Sequence, residues 1–234
     1  MAHYELVQRC RPIGSYRLKE TVAFLSLLRD ATEVEAYELA KRTFEPDEEG
    51  LRLLFESLAS KSPFPEAGVD VDLYGRMAVS QEYLRVEIHS GTRPGEAFID
   101  HVNVDLGGNG RGVSETYFRR AIDTLRPFEA YVAELDDEHE LDSYGSQQRI
   151  VDFNAPAIIR SLHFLDVTLA ASVGGIERCL AAPASRVERV LGGVLIRLVN
   201  EPFDPRNPTH LGKQREVMEY LGLPAPSAVQ KSSS

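Results

Sequence analysis

The stretch VDLGGNGRGVSETYF, residues 104–118, sets four glycines within six residues between a strand-like run and a helix-like run. Backbone N–H groups of such a loop could cradle a phosphate. The spacing fits no phosphate fingerprint, however. A dinucleotide loop needs G-x-G-x-x-G, and after Gly108 and Gly110 the third place holds Val113. Counting from Gly110 and Gly112 puts Glu115 there, whose charge would oppose a pyrophosphate. A Walker loop ends in Gly-Lys-Ser/Thr, and here Gly-Val-Ser lacks the lysine. The loop therefore reads as a connector, with Ser114 capping the helix behind it.

His139 opens HELDS, where a zinc protease would need a second histidine at the place of Ser143. The acids Glu134, Asp136, Asp137, Glu138, Glu140 and Asp142 form the most one-sided charge cluster, with no base among them. They lack the alternating ligands and central glycine of a calcium loop, which leaves a solvated loop or a binding surface.

A second group of polar residues alternates with apolar ones. In EYLRVEIHS, Leu84, Val86 and Ile88 alternate with Arg85, Glu87 and His89; in FIDHVNVDL, Val102, Val104 and Leu106 alternate with His101, Asn103 and Asp105. Joined by GTRPGEA, the two runs predict an antiparallel hairpin with one buried and one wet face. A turn centred near Pro94 sets Glu87 opposite His101 and Arg85 opposite Asn103, with Asp105 diagonal to Arg85. A carboxylate beside an imidazole is the least that acid–base catalysis needs; opposite charges across strands also simply stabilise sheets. No Ser or Cys stands in a nucleophile elbow. His163, inside the apolar SLHFLDV, is expected to be a hydrogen-bonded core residue, and His210 to act locally in the last helix.

The elements that must position these groups follow from periodicity. YELVQRC predicts a strand, and Ser15 a cap for a helix with Leu18, Val22, Leu25 and Leu28 inward. Residues 33–44 fit helix or strand. A helix follows Pro46 with Leu51, Leu54, Phe55 and Leu58 on one face, and SPFPEAG breaks the chain. Behind the glycine loop, Phe118, Ala121, Ile122 and Leu125 define a helix ended by Pro127, then EAYVAEL a strand. RVERVLGGVLIRLVNEP predicts two strands around Gly192 and Gly193. The last helix has Asn207 as cap, Pro208 in its first turn, Leu211, Met218 and Leu221 inward, and Gly222 with Pro224 as stop. Strands do not alternate strictly with helices, so the expected fold is α+β: one domain over residues 1–224, a mixed or mainly antiparallel sheet against several helices, then a disordered tail over 225–234.

Composition bounds the function. The 234 residues are 43% hydrophobic and 26% charged, enough for a real core. A net charge of −10 argues against nucleic acid as partner. No apolar run approaches the roughly 20 residues of a membrane span. MAHYELVQRCRPIG lacks a signal-peptide core, which makes the cytoplasm the expected location. Cys10 and Cys179 are the only cysteines, and they fit reduced thiols better than a disulfide framework or zinc cage. No cofactor motif is present.

The segment VERVLGGVLIRLVNEPFDPRNPTHL runs strand, Gly-Gly, apolar strand, acid-Pro-Phe-Asp, Asn-Pro-x-His, helix. It resembles the ending of the immunity-protein-52 family of bacterial polymorphic toxin systems. LRVEIHSGT and LRPFEAYVAEL are similar in layout to that family's middle, so the resemblance covers roughly residues 80–222. It implies a cytoplasmic antidote that binds a cognate toxin domain, expected to be basic, and performs no catalysis. The acidic loop Glu134, Asp136, Asp137, Glu138, Glu140 and Asp142 is the first expected contact surface, and the hairpin face (Arg85, Glu87, His101, Asn103, Asp105) the second. Pro202, Pro205 and Pro208 are expected to stiffen the last loop. Two alternatives stand beside this reading: an enzyme using Glu87 and His101 as acid–base pair, and a structural or assembly protein. The oligomeric state is not legible.

Overall fold

The computed structural model describes residues 3–77, 83–96, 98–107, 115–135, 155–156, 158–204 and 206–224. The fold is α+β with antiparallel strands, as the interleaving of elements predicts. The chain clusters into two compact units, Met1–Val151 and Asp152–Ser234.

In the first unit the elements run β1 (His3–Cys10), α1 (Leu18–Thr32), β2 (Val34–Leu39), β3 (Arg42–Phe44), α2 (Glu48–Ala59), β4 (Val69–Met77), β5 (Tyr83–Ser90), β6 (Asp100–Gly107), α3 (Glu115–Leu125) and β7 (Glu129–Leu135). The strands lie in the order β3-β2-β4-β5-β6-β1-β7, each pair antiparallel. One face carries Val71, Leu73, Val86, Ile88, Val102, Val104 and Leu6, all buried. Helix α2 packs on β4, α3 on β1, and α1 on both helices. Phe24, Leu25, Leu28, Leu51, Phe55, Phe118 and Ile122 supply the buried helical side chains. Each such side chain contributes about 2 kcal/mol by leaving water.

The structure corrects the start of α1, resolves one open segment and adds one strand. Ser15 does not cap α1. Arg17 is the N-cap and has no side-chain cap bond, because the preceding segment is tied to the β5–β6 connector: Gly14 N–H donates to Thr92 O (3.0 Å) and Arg17 N–H to Ser90 Oγ (3.2 Å). The inward stripe is Thr21, Phe24, Leu25, Leu27 and Leu28, with Leu18 and Val22 only half-buried. The ambiguous residues 33–44 form a hairpin turning at Ala40 and Lys41, both at positive φ, without the Asn or Gly that would signal it. Finally, VDVDLYGRM forms β4, a strand not among the expected elements, with burial that alternates without a fault from Val69 to Arg76.

The second unit holds β8 (Leu162–Leu165), α4 (Val167–Ser172), α5 (Ile176–Leu180), β9 (Arg186–Val190), β10 (Gly193–Arg197) and α6 (Pro208–Leu221), with strands in the antiparallel order β8-β10-β9. The apolar SLHFLDVTLAASV divides into a fully buried strand and a helix capped by Asp166, which accepts from Leu169 N–H (2.8 Å). The Gly-Gly turn forms one residue earlier than its glycines suggest: Leu191 and Gly192 take positive φ, and Gly193 already pairs with Val190. A Cβ at Gly193 would collide with the Leu165 carbonyl, so the second glycine lets β10 and β8 approach. Asn207 caps α6 by accepting from Thr209 N–H (2.9 Å), and Gly222 ends it in the left-handed region. Met218 and Leu221 are buried as expected, whereas Leu211 is half-buried and His210, Gln214 and Val217 complete the inward face.

Candidate functional site

The predicted β5–β6 hairpin is present, but its register is centred on Gly95, not Pro94. The opposed pairs are Arg85 with Asp105, Glu87 with Asn103, and His89 with His101. One step in the turn moves partners by two residues, which preserves the faces and changes the neighbours. Glu87 and His101 therefore meet on the diagonal, and still bond: His101 Nε2 lies 3.2 Å from Glu87 Oε1. Arg85 reaches Asp72 Oδ1 (2.9 Å) and Glu87 Oε2 (3.4 Å).

Following the register across the sheet gives one polar row. Asp70 of β4 faces His89 of β5, His89 faces His101 of β6, His101 faces Arg9 of β1, and Arg9 faces Glu129 of β7. Its ends are ion pairs, Asp70 Oδ1 to His89 Nδ1 at 2.6 Å and Arg9 Nη1 to Glu129 Oε2 at 2.7 Å. The row starts in solvent, with the Asp70 side chain 71% exposed, and passes inward to Glu129 at 4%. The second face is thus not wet throughout. Asn103 is buried, and Val7, Tyr131 and Ala133 make a small apolar cluster on the part of this face that β6, β1 and β7 form.

His89 anchors this row. Its Nδ1 faces the Asp70 carboxylate, and its Nε2 faces the Ala67 carbonyl (2.7 Å) and the Thr92 hydroxyl (3.0 Å). A carboxylate and a carbonyl only accept, so both ring nitrogens donate and the ring is an imidazolium. Burial works against that charge, but Asp70, the Ala67 carbonyl and Asp100 outweigh it and hold the pKa above the ordinary value. Gly68, at positive φ, packs against the Nε2 edge of the ring; a Cβ there would stand 2.6 Å from His89 Nε2. Glu87 is held below the usual carboxylate range, first by its hydrogen bond to His101.

Behind the row, Asp100 is buried and accepts from Thr92 N–H (3.0 Å), with Arg17 Nε at 3.5 Å. Burial raises its pKa. Cys10 donates to Leu125 O (3.6 Å), and burial pushes its thiol up to about 12, so it is no nucleophile.

Sequence reading found Arg85, Glu87, His101, Asn103 and Asp105 but missed Asp70, Asp72 and the role of His89. The alternation of VDVDLYGR was the available signal for the first two. His163 is buried and accepts from Arg160 N–H at Nδ1 (3.0 Å), a core histidine as expected. His210 staples the last loop, accepting from Asp204 N–H (2.9 Å) and donating to Glu201 Oε1 (2.9 Å). Of the acidic loop, only the backbone of Glu134, in β7, is described. Asp136, Asp137, Glu138, Glu140, Asp142 and His139 lie outside the described residues, as do Ser114 with the glycine loop from 108, Pro205 and the tail over 225–234. The strand entering the glycine loop is flanked by antiparallel neighbours, not the parallel pair of a dinucleotide fold.

The two cysteines are free, and no described helix is long and apolar enough to cross a membrane. Chemically, the row together with the adjacent Glu87 offers a hydrogen-bonded carboxylate–imidazole pair and a trio, Asp70, Glu87 and His101, whose potential ligand atoms lie within 4.8 Å of one another.

No family model matches the chain, and a search among curated proteins returns no match. Among solved structures, the chain is similar to the Pseudomonas aeruginosa T6SS protein PA0821, at a TM-score of 0.60 and 12% identity, over 95% of this chain and 76% of that one. At that identity the likeness is one of fold: these strands and helices form an α+β architecture that PA0821 also adopts.

Proposed function

We propose that this chain is a secretion-system-associated binding protein, and specifically an immunity protein that neutralises a cognate toxin domain by covering its active surface. The observation that carries the reading is the fold shared over 95% of the chain with the T6SS protein PA0821. The resemblance of residues 80–222 to immunity-protein-52 sequences points the same way. A net charge of −10 suits attraction of a basic toxin domain, which speeds encounter and selects the partner. Such an antidote works in the cytoplasm.

Two groups of residues are candidates for the contact. One is the acidic stretch Glu134, Asp136, Asp137, Glu138, Glu140 and Asp142. The other is the open part of the outer face, where Asp70, Asp72, Tyr74, Arg76 and Arg85 are exposed on a rigid sheet. Exposed Tyr and Arg side chains are typical anchors of protein interfaces.

Growth rescue tests the reading. Where a neighbouring reading frame encodes a secreted protein, the chain is co-expressed with that protein's C-terminal domain. Rescue is expected, with loss on charge reversal at Asp136, Asp137 and Glu138, or at Asp72 and Arg85 if the sheet face makes the contact. Absence of rescue by the intact chain, with no complex on size exclusion, overturns neutralisation. The hydrogen bond between Glu87 and His101 favours one second reading, an acid–base enzyme, for which His101→Ala must abolish a measurable turnover.

A further inference from the structure

We propose that Asp70, Glu87 and His101 form a binding site for a divalent transition-metal ion on the outer face of the β4–β5–β6 sheet. The three come from three adjacent strands, so their Cα positions are fixed by the backbone ladder and not by a loop. Their potential ligand atoms already lie within 4.8 Å of one another. One of these pairs, His101 Nε2 and Glu87 Oε1 at 3.2 Å, stands close to the roughly 3.3 Å that separates two ligands on a tetrahedral ion with bonds of about 2.0–2.1 Å. An ion seated there replaces that hydrogen bond with two coordinate bonds, the neutral ring carrying its proton on Nδ1.

The surroundings supply what a metal site needs beyond its ligands. Ligating groups bind best when outer partners fix their orientation. Here His89 donates from Nδ1 to Asp70 Oδ1 at 2.6 Å, and a carboxylate has acceptor capacity for both that bond and an ion. The His101 ring is held parallel to His89, 8° from coplanar orientation. Gly68 and Thr92 pin His89 in turn. Two carboxylates and a neutral imidazole sum to the charge that neutralises a dication; the neighbouring Arg85 is held by Asp72, while His89 shares the Asp70 carboxylate with the ion.

The ligand set selects the ion. One imidazole nitrogen with two carboxylate oxygens suits zinc or manganese better than magnesium or calcium, which take oxygen alone. Three protein ligands on a face where Asp70 is 71% exposed keep a coordination position accessible from solvent.

The inference does not rest on the immunity reading, because the isolated chain tests it without a partner. Chain stripped with chelator and dialysed is titrated with ZnCl2 and with MnCl2 by calorimetry. One ion per chain is expected, with zinc in the micromolar range or tighter. Asp70→Asn, Glu87→Gln and His101→Ala should each weaken zinc by about 10-fold or more, while Asp123→Asn, an exposed acid on α3, should leave it unchanged. The imidazole signals of His101 should shift on titration in the NMR spectrum, a readout that holds even if one variant folds poorly. No saturable binding, or saturable binding that survives all three substitutions, overturns the site.

Discussion

The imidazoles of His89 and His101 stack with centroids 5.3 Å apart and planes within 8°, because the two residues face each other in register across β5 and β6. One ring is clamped between acceptors and the other hydrogen-bonds Glu87, so neighbouring histidines on one face have opposite surroundings.

His89 makes stability depend on pH in a defined direction. Its folded pKa is raised above an unfolded value of about 6.5, so its contribution is complete below that value and is lost as pH rises through the folded pKa. His89→Gln should cost about 2–3 kcal/mol at pH 6. Urea denaturation from pH 6 to pH 9 should show the gap between wild type and variant narrowing; a gap that widens with pH is incompatible with an imidazolium.

Glu87 behaves in the opposite sense. Its folded pKa is lowered, chiefly by the hydrogen bond to His101, so its contribution is present above the ordinary carboxylate value and lost as pH falls through the folded one. In His101→Ala the Glu87 carboxyl should titrate at higher pH than in wild type. Side-chain carbon NMR measures this directly, and an unmoved Glu87 would remove the coupling.

Gln8 sits fully buried on the helix-facing side of β1, and neither its Nε2 nor its Oε1 has a hydrogen-bond partner among the described residues. Burying an amide without partners costs about 1–3 kcal/mol. Gln8→Met, of similar volume, should raise stability by about 1–2 kcal/mol in thermal or chemical denaturation. A loss of stability would mean that the amide is in fact satisfied.

Gly68→Ala tests the close packing of Gly68 against His89 Nε2. The position combines positive φ with a Cβ clash against the ring, and the substitution should destabilise by about 2 kcal/mol or more. The His89 imidazole signals should move with it. A neutral result would show that the loop can lift without disturbing the ring.

Much of the architecture was legible because it is local. The alternation in EYLRVEIHS and FIDHVNVDL and the Asn207, Pro208 and Gly222 signals around α6 report the residues' own preferences, and each appears as an element of the expected kind. What escaped is long-range. Register depends on where the connector between Ser90 and Asp100 turns, which its Pro and two Gly leave open. β4 carries Asp70 and Asp72 on its outer side and Gly75 within it, residues that depress strand propensity and mask an unbroken alternation. Asp70 joins the site only because β4 lies beside β5, a pairing no short window contains. Ser15 had the right chemistry for a cap, but tertiary bonds from Gly14 and Arg17 decided where α1 begins.

The order of strands carries one more consequence. The first unit's sheet has β3 as an outermost strand, and β3 is three residues long and begins with Arg42. So short and cationic a margin gives an incoming extended peptide almost no backbone to zip onto. A binding partner must therefore read this part of the molecule through side chains displayed on its surface, and recognition should tolerate a backbone-methylated peptide mimic but not a change of charge.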